Sequence, residues 1–172
     1  TFTDPVTIRA PGVAGAITVN GALATGSVAG ETGSISLTSG SGGITLNAGL
    51  TTTNQAITLN AGTGTLTQNA GATLSSGSGA ISLTADTIAL GATMSGTGTL
   101  TLTPATAAQT VGIADGAVGA FNLTTAELDL LQNGFSSRTL GHAAGTGAVD
   151  VRAYTFTDPV TIRAPGVAGA IT

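Results

Sequence analysis

Few side chains in this sequence are suited to acid–base or nucleophilic chemistry. The single histidine, His142, lies near Ser136, Ser137 and Asp150, which are the residue types of a hydrolase triad. Neither serine is set in the Gly-x-Ser-x-Gly turn that exposes a nucleophile. The chain has no Lys and no Cys, which excludes a Walker P-loop, Schiff-base chemistry and a thiol nucleophile. We therefore predict that the protein is not an enzyme and that His142 is a surface or packing residue.

Carboxylates are the remaining candidates for catalysis or metal binding. Asp86 is the only charged residue between Thr32 and Ala114. A hydrolase pair could be formed only among four later residues: Asp115, Glu127, Asp129 and Asp150. We expect these four on different coils or on a helix. Calcium-binding repeats need an Asp in each coil, which this chain lacks. The sequence predicts no catalytic, cofactor-binding or metal-binding residue.

The overall composition narrows the class of protein. A net charge of −4 with only four basic residues argues against nucleic acid as a partner, because that would need a basic stripe. Polar residues interrupt every apolar run before it reaches the length of a membrane span. Hydrophobic residues make up 41% of the chain but aromatic residues only 3%, so the core must be thin and aliphatic. The lack of Cys is compatible with an extracellular protein.

The chain contains one long exact repeat. Its first segment, Thr1–Thr18, returns letter for letter as Thr155–Thr172. Such identity, which extends through turn residues, is typical of tandem arrays. We interpret residues 1–154 as one full unit and 155–172 as the start of the next, in one continuous solenoid. We expect the sequence to be a window from a longer polypeptide that starts in mid-repeat, and we expect other copies of the unit to be its partners.

A shorter period of about twenty residues is present within the unit. Five segments alternate aliphatic and polar residues, with leading residues spaced by 18, 22, 24 and 19 positions: Ile17, Ile35, Ile57, Ile81 and Leu100. Alternation of this kind predicts strands with one buried face, and its recurrence predicts an all-β, right-handed parallel β-solenoid of about eight coils per unit. At the usual strand spacing one unit would advance about 38 Å.

The polar positions of these strands are expected to point outward and to stack into hydroxyl and amide ladders. The predicted ladder residues are Thr18, Asn20, Ser36, Thr38, Thr58, Asn60, Ser82, Thr84, Thr101 and Thr103. Such ladders suggest an ice-binding or carbohydrate-binding surface as a rival function. The mixture of Thr with Ser and Asn, the variable coil length and the lack of exposed aromatic platforms weigh against it.

One segment departs from the solenoid pattern. Thr124 and Glu127 form a capping-box pattern and Asn133-Gly134 a stop signal, so we predict one short helix from about Thr125 to Gln132. The segment carries six residues that could mediate lateral contact between rods: Phe121, Glu127, Leu128, Leu131, Phe135 and Arg138. The alternative, which we favour, is a local plug over the apolar side of one wide coil.

These residues give the chain a family resemblance. The ITLNAG and ISLT coils, and above all the block FNLTTAELDLLQNGFSSRTLGHAAGTGAVDVRAYTFTDPVTIRAPG from Phe121 to Gly166, resemble the β-strand repeats of filamentous-haemagglutinin-like bacterial surface and secreted proteins. The resemblance implies a right-handed β-helix, export across a Gram-negative envelope and a role in adhesion or surface fibres. We expect a structural repeat of an extracellular filament, or alternatively the shaft of an adhesin that binds elsewhere.

Overall fold

The computed structural model describes residues 2–10, 12–26, 33–166 and 168–172. The strands before the helix are β1 (Val6–Arg9), β2 (Ile17–Val19), β3 (Leu23–Thr25), β4 (Ile35–Thr38), β5 (Ile44–Leu46), β6 (Leu50–Thr52), β7 (Ile57–Asn60), β8 (Thr65–Gln68), β9 (Leu74–Ser75), β10 (Ile81–Thr84), β11 (Thr87–Leu90), β12 (Met94–Ser95), β13 (Thr99–Thr103), β14 (Val111–Ile113) and β15 (Phe121–Leu123). The helix α1 (Thr125–Asp129) is followed by β16 (Ser137–Gly141), β17 (Ala148–Val151), β18 (Val160–Arg163) and β19 (Ala170–Ile171).

As the alternation predicts, the strands wind into a parallel β-solenoid. The solenoid has three faces. The first face is a seven-stranded sheet in the order β1-β4-β7-β10-β13-β16-β18. The second face contains two four-stranded sheets, β11-β8-β5-β2 and β15-β14-β17-β19. The third is the four-stranded sheet β12-β9-β6-β3, with bridges to Phe2 and Leu131 beyond its two ends. Every strand pair is parallel, so each coil stacks on the one before it.

The core is a set of aliphatic rows that run along the solenoid axis. In the seven-stranded sheet Ile35, Ile57, Ile81 and Leu100 occupy one inward row in register, and each is fully buried. Each such side chain contributes on the order of 1.5–3 kcal/mol when it leaves water. Glycines allow the turns between faces to stack closely, for example at Gly43, which has a φ of 78° and lies against the Thr65 carbonyl.

The structure corrects the predicted alignment of the first coil. Ile17 lies in β2 on the second face, where it pairs with Ile44, and is not in the row of Ile35. The residue that pairs with Ile35 from the preceding coil is Val6. The alternating pattern alone misassigned Ile17, because strands on all three faces alternate in the same way.

The unit also contains fewer coils than the predicted eight. Strands β1 and β18 have the same sequence and are the first and last strands of the seven-stranded sheet, so one unit spans six steps. Two coils are much longer than twenty residues: 29 residues separate Val6 from Ile35, and 38 separate Leu100 from Arg138. Six steps correspond to an advance of roughly 29 Å along this sheet, instead of 38 Å.

The longest coil carries an extra strand and the helix. Its chain forms β14, turns back within seven residues and forms β15, which lies between β14 and β11. The turn is tight, because Gly119 lies against the backbone of Val111 and Gly112 with no room for a side chain. The predicted helix is present with its capping box, although it ends at Asp129 rather than near Gln132, since Leu131 returns to strand pairing with Met94.

Candidate functional site

Eight of the ten predicted ladder residues form two rows on the seven-stranded sheet. One row contains Ser36, Thr58, Ser82 and Thr101, which are in register on successive strands. The second row is made of Thr38, Asn60, Thr84 and Thr103. All eight are half-buried or exposed. Arg9 and Arg163 lie on the two outermost strands of this sheet. Between them, the outward positions of the described strands carry no charged side chain, so the rows form a polar, uncharged surface.

The other two predicted ladder residues belong to the second face. Thr18 pairs with Thr45 of the next coil. Asn20 lies just after β2 and accepts a hydrogen bond from Asn47 Nδ2 at 2.7 Å, and Asn47 Oδ1 accepts one from Asn69 Nδ2 at 2.6 Å. Asn20 was predicted as a ladder residue but its partners Asn47 and Asn69 were not. The recurrence of Asn directly after β2, β5 and β8 was a usable signal for them.

A second arrangement that the sequence analysis missed lies at the start of the repeated segment. Arg138 occupies an inward position of β16, in register with Leu100 before it and Val160 after it. Its side chain is 1% exposed and forms an ion pair with Asp158, with 2.6 Å between Nη2 and Oδ2. The Arg138 guanidinium group thus lies in a row of aliphatic side chains, where it is paired with the Asp158 carboxylate of the next coil. We call Arg138 and Asp158 the junction pair.

Backbone groups complete the coordination of the junction pair. Arg138 Nη2 also donates to the carbonyl oxygens of Leu131 and Gln132, at 3.1 and 3.2 Å. Asp158 accepts from the N–H groups of Gly134 and Phe135, at 2.9 and 3.2 Å. Buried charges are tolerated only when their hydrogen-bonding capacity is met in this way. The turn after the helix is therefore attached to the repeated segment through the junction pair.

The electrostatics of Asp158 follow from these contacts. Burial by itself would raise the pKa of the carboxyl group, but the hydrogen bonds from Gly134 and Arg138 and the positive charge of Arg138 outweigh it. The net result is a pKa of Asp158 below the usual value of 3.8, so this carboxyl group is ionised near neutral pH. The Phe135 ring adds to the stabilisation of the cation, with its centroid 5.9 Å from Arg138 Cζ.

An aromatic contact lies beside the junction pair. Tyr154 and Phe156 pack edge to face with ring centroids 4.9 Å apart. The Tyr154 hydroxyl donates to Asp129 at 3.0 Å, and burial together with this carboxylate raises the pKa of Tyr154. The hydrogen bond from Tyr154 to Asp129 joins the helix to the segment that precedes β18.

The six residues considered for lateral contact are mostly inside the solenoid. Five are at most 4% exposed: Phe121, Leu128, Leu131, Phe135 and Arg138. The sixth, Glu127, is half-buried, and its carboxylate accepts hydrogen bonds from Thr124 and from the Leu90 N–H at the edge of β11. The expectation of lateral contact through these side chains is therefore corrected, because the segment plugs the widest coil and caps a sheet edge.

Several of the residues weighed for chemistry form hydrogen bonds with neighbouring groups of the protein. His142 Nδ1 accepts from the Ala144 N–H at 3.0 Å. Asp150 accepts from the Val118 N–H and from Arg152, both at 2.9 Å. Asp115 and Thr125 exchange two hydrogen bonds at the start of the helix.

Asp86 accepts from the Thr106 N–H at 2.7 Å. Among the described residues there is no cluster of three or more His, Cys, Asp or Glu that could hold a metal ion. No helix in the described part of the chain is long and apolar enough to span a membrane.

Comparison with protein-family models, with curated proteins and with solved structures finds no match to this chain. The parallel β-solenoid is established by the strand pairing alone.

Proposed function

We propose that this chain is a structural repeat of a long extracellular or cell-surface filament, in which successive units continue one solenoid end to end. The resemblance to filamentous-haemagglutinin-like proteins supports an exported bacterial fibre. The proposed mechanism is geometric: a stiff rod, polar and almost uncharged on its widest face, extends from or covers a surface. Other copies of the same unit are the proposed partners.

One observation carries the proposal. The strand sequence VTIR pairs with the following coil when it is β1 and with the preceding coil when it is β18. Both pairings are parallel and use the same four residues. A copy inside an array can therefore make both sets of contacts at once, and the solenoid can continue without any special joining element.

The junction pair supports the same proposal. Asp158 belongs to the second copy of the repeated segment, whereas Arg138 belongs to the unit before it. An ion pair with both side chains at most 6% exposed thus spans the boundary between units. In an array, each Asp at this position would pair with the Arg of the preceding unit, which fixes the register between units.

Electron microscopy of chains that carry one, two and four units tests the proposal. Rods that lengthen by roughly 29 Å per added unit and join into longer fibres are expected. Rods that lengthen in this way but stay single would favour the shaft of an adhesin. Compact particles whose length does not grow with the number of units would contradict continuation of the solenoid.

A further inference from the structure

The sequence contains two Asn-Gly dipeptides, Asn20-Gly21 and Asn133-Gly134, and all four residues are exposed. The side chain of an asparagine reacts most readily with its own backbone when a glycine follows, because glycine has no Cβ to hinder the approach of its nitrogen. The product carries a carboxylate in place of a neutral amide. The structure separates the two dipeptides, because different groups surround the two glycine N–H groups.

We propose that Asn20 is a site of spontaneous deamidation and that Asn133 is protected from the same reaction by the junction pair. In the reaction the Gly21 nitrogen bonds to Asn20 Cγ and the bond from Cγ to Nδ2 breaks. Nδ2 leaves as ammonia with the proton from the Gly21 nitrogen. Water then opens the cyclic imide at either carbonyl and leaves aspartate or isoaspartate. Either product adds one negative charge to a chain whose net charge is −4.

The Gly21 nitrogen is available for this attack. Among the described residues, no acceptor forms a hydrogen bond with the Gly21 N–H. The ladder bond before it is present, from the Asn47 nitrogen to the Val19 oxygen at 2.8 Å, so the gap lies at the bend that follows β2. A Cβ added to Gly21 would meet no atom within 4 Å, so the backbone has room to bring the nitrogen towards Asn20 Cγ.

Asn20 is the first member of the ladder that continues through Asn47 and Asn69. Its Oδ1 accepts from Asn47 Nδ2 at 2.7 Å, and a carboxylate oxygen would accept the same bond more strongly. Ala48 and Ala70 follow the other two members, so a methyl group hinders the same attack there. Asn47 and Asn69 follow strands that are paired on both sides, yet both are exposed. The exposure of Asn20 therefore follows from its outward position and not from its place on the outermost strand.

The junction pair protects the second dipeptide. The Gly134 N–H donates to Asp158 Oδ1 at 2.9 Å, so a carboxylate holds the proton that has to leave. The neighbouring negative charge also disfavours the loss of this proton, because it would leave an anionic nitrogen. Arg138 fixes the same carboxylate, with 2.6 Å between Nη2 and Oδ2. Asn133 should therefore keep its amide while the last coil is docked.

The new charge at Asn20 gains a partner in the proposed filament, and this step rests on the proposed function. Val149 is in register with Ile171, which places Arg152 in register with the third residue after Ile171. In a continued solenoid that residue is the next copy of Asn20, because Ile171 is the copy of Ile17. Opposite charges on adjacent strands stabilise a sheet. Deamidation would thus place a carboxylate beside Arg152 of the preceding unit.

Mass spectrometry of peptides from the full chain, after incubation in mildly alkaline buffer, tests the proposal. Deamidation should accumulate at Asn20, whereas Asn133, Asn47 and Asn69 should keep their amides. In urea, where the fold is lost, Asn20 and Asn133 should deamidate at similar rates. A rate at Asn133 that equals or exceeds the rate at Asn20 in the folded chain would overturn the proposal. A difference between the two sites that persists in urea would also overturn it, since local sequence would then be the cause.

Two substitutions separate the causes. Gly21→Ala, which the open space at this position tolerates, should lower deamidation of Asn20 to the level of the asparagines that precede alanine. Asp158→Asn removes the charged acceptor of the Gly134 N–H. It should raise deamidation of Asn133 to the rate at Asn20, while the rate at Asn20 stays unchanged. An unchanged rate at Asn133 in this variant would contradict protection by the junction pair.

The site and the filament fail separately. Deamidation of Asn20 in a single unit does not need end-to-end continuation, so rods that fail to lengthen would reject the filament and leave the site in place. Asn20→Asp in the second unit of a two-unit chain should raise the Tm, and Arg152→Gln in the first unit should abolish the increase. A rise that survives Arg152→Gln would contradict the pairing of the new charge with Arg152.

Discussion

The first and last eighteen residues of the chain have one sequence but opposite surroundings. In the last copy Asp158 is covered: the whole residue is 9% exposed. The equivalent Asp4 in the first copy is exposed. In the first copy the late residues are covered: Ile17 is 8% exposed, whereas Ile171 is 54% exposed. Asp158 is thus buried by the preceding coil and Ile17 by the following one. The burial of these residues is therefore determined by the neighbouring coils and not by the sequence of the segment.

The largest difference between the copies is expected at the aspartate. Asp158→Asn leaves Arg138 buried without its charge partner, which should destabilise docking of the last coil by about 3–5 kcal/mol. The backbone N–H of Arg138 donates to the Pro159 carbonyl at 2.8 Å. Hydrogen exchange of this amide therefore reports whether the last coil is docked on β16. The matched Asp4→Asn change should alter stability by less than about 0.5 kcal/mol. Similar exchange rates in the two variants would show that the junction pair does not hold the segment.

At the isoleucine of the repeated segment, substitution in the first copy should destabilise the protein more than substitution in the last copy. Ile17→Ala removes a buried side chain that pairs with Ile44 and should lower the free energy of unfolding by about 2–4 kcal/mol. Ile171→Ala, the same change in the last copy, should cost less than about 1 kcal/mol because the side chain is half exposed. Urea denaturation of both variants measures the difference. A larger loss at Ile171 would contradict burial by the following coil.

A smaller effect is expected from pH, because protonation removes the charge of Asp158 but leaves oxygens that still accept hydrogen bonds. The folded pKa of Asp158 is below its usual 3.8, so its stabilising contribution is complete above about that pH and is lost as pH falls through the lowered pKa. The protection factor of the Arg138 backbone amide, which is the intrinsic exchange rate at each pH divided by the observed rate, should fall over this window. The Asp158→Asn chain should show a flatter profile, and parallel profiles would assign the pH dependence to other carboxylates.

The smallest effect is expected at the phenylalanine. Phe156→Leu removes the edge-to-face contact with Tyr154 and should cost about 1 kcal/mol. Phe2→Leu, the matched change at a half-exposed side chain, should cost less than about 0.5 kcal/mol. Thermal unfolding of the two variants compares them, and equal shifts would indicate that the Tyr154 contact adds nothing to simple burial.

Much of the fold was predictable from local patterns. Strict alternation identified the strands, and the capping box of Thr124 and Glu127 identified the helix start, because both depend on near neighbours in sequence. The assignment of strands to faces was not local: Ile17 follows the same pattern as Ile35 but lies on another face. The strand at Phe121–Leu123 was predictable from its pattern, but its place was not, for the same reason: only packing between β14 and β11 defines where β15 lies.

One member of the junction pair could have been predicted from a pattern in the sequence. Ser137-Arg138-Thr139-Leu140 has the small, aliphatic, hydroxyl, leucine pattern of Ala80-Ile81-Ser82-Leu83, with Arg in the aliphatic position. An arginine at a core position requires a buried acid, and Asp158 follows at about one coil length. Its position next to Arg138 depends on how the two turns stack, which sequence spacing alone does not give.

Hydrogen exchange on a chain that carries two units tests the central claim most directly. The internal copy of the repeated segment would have a coil on each side, so its strand amides should be protected as well as those of β7, and better than those of either terminal copy. Protection no greater than that at the chain ends would contradict one continuous solenoid.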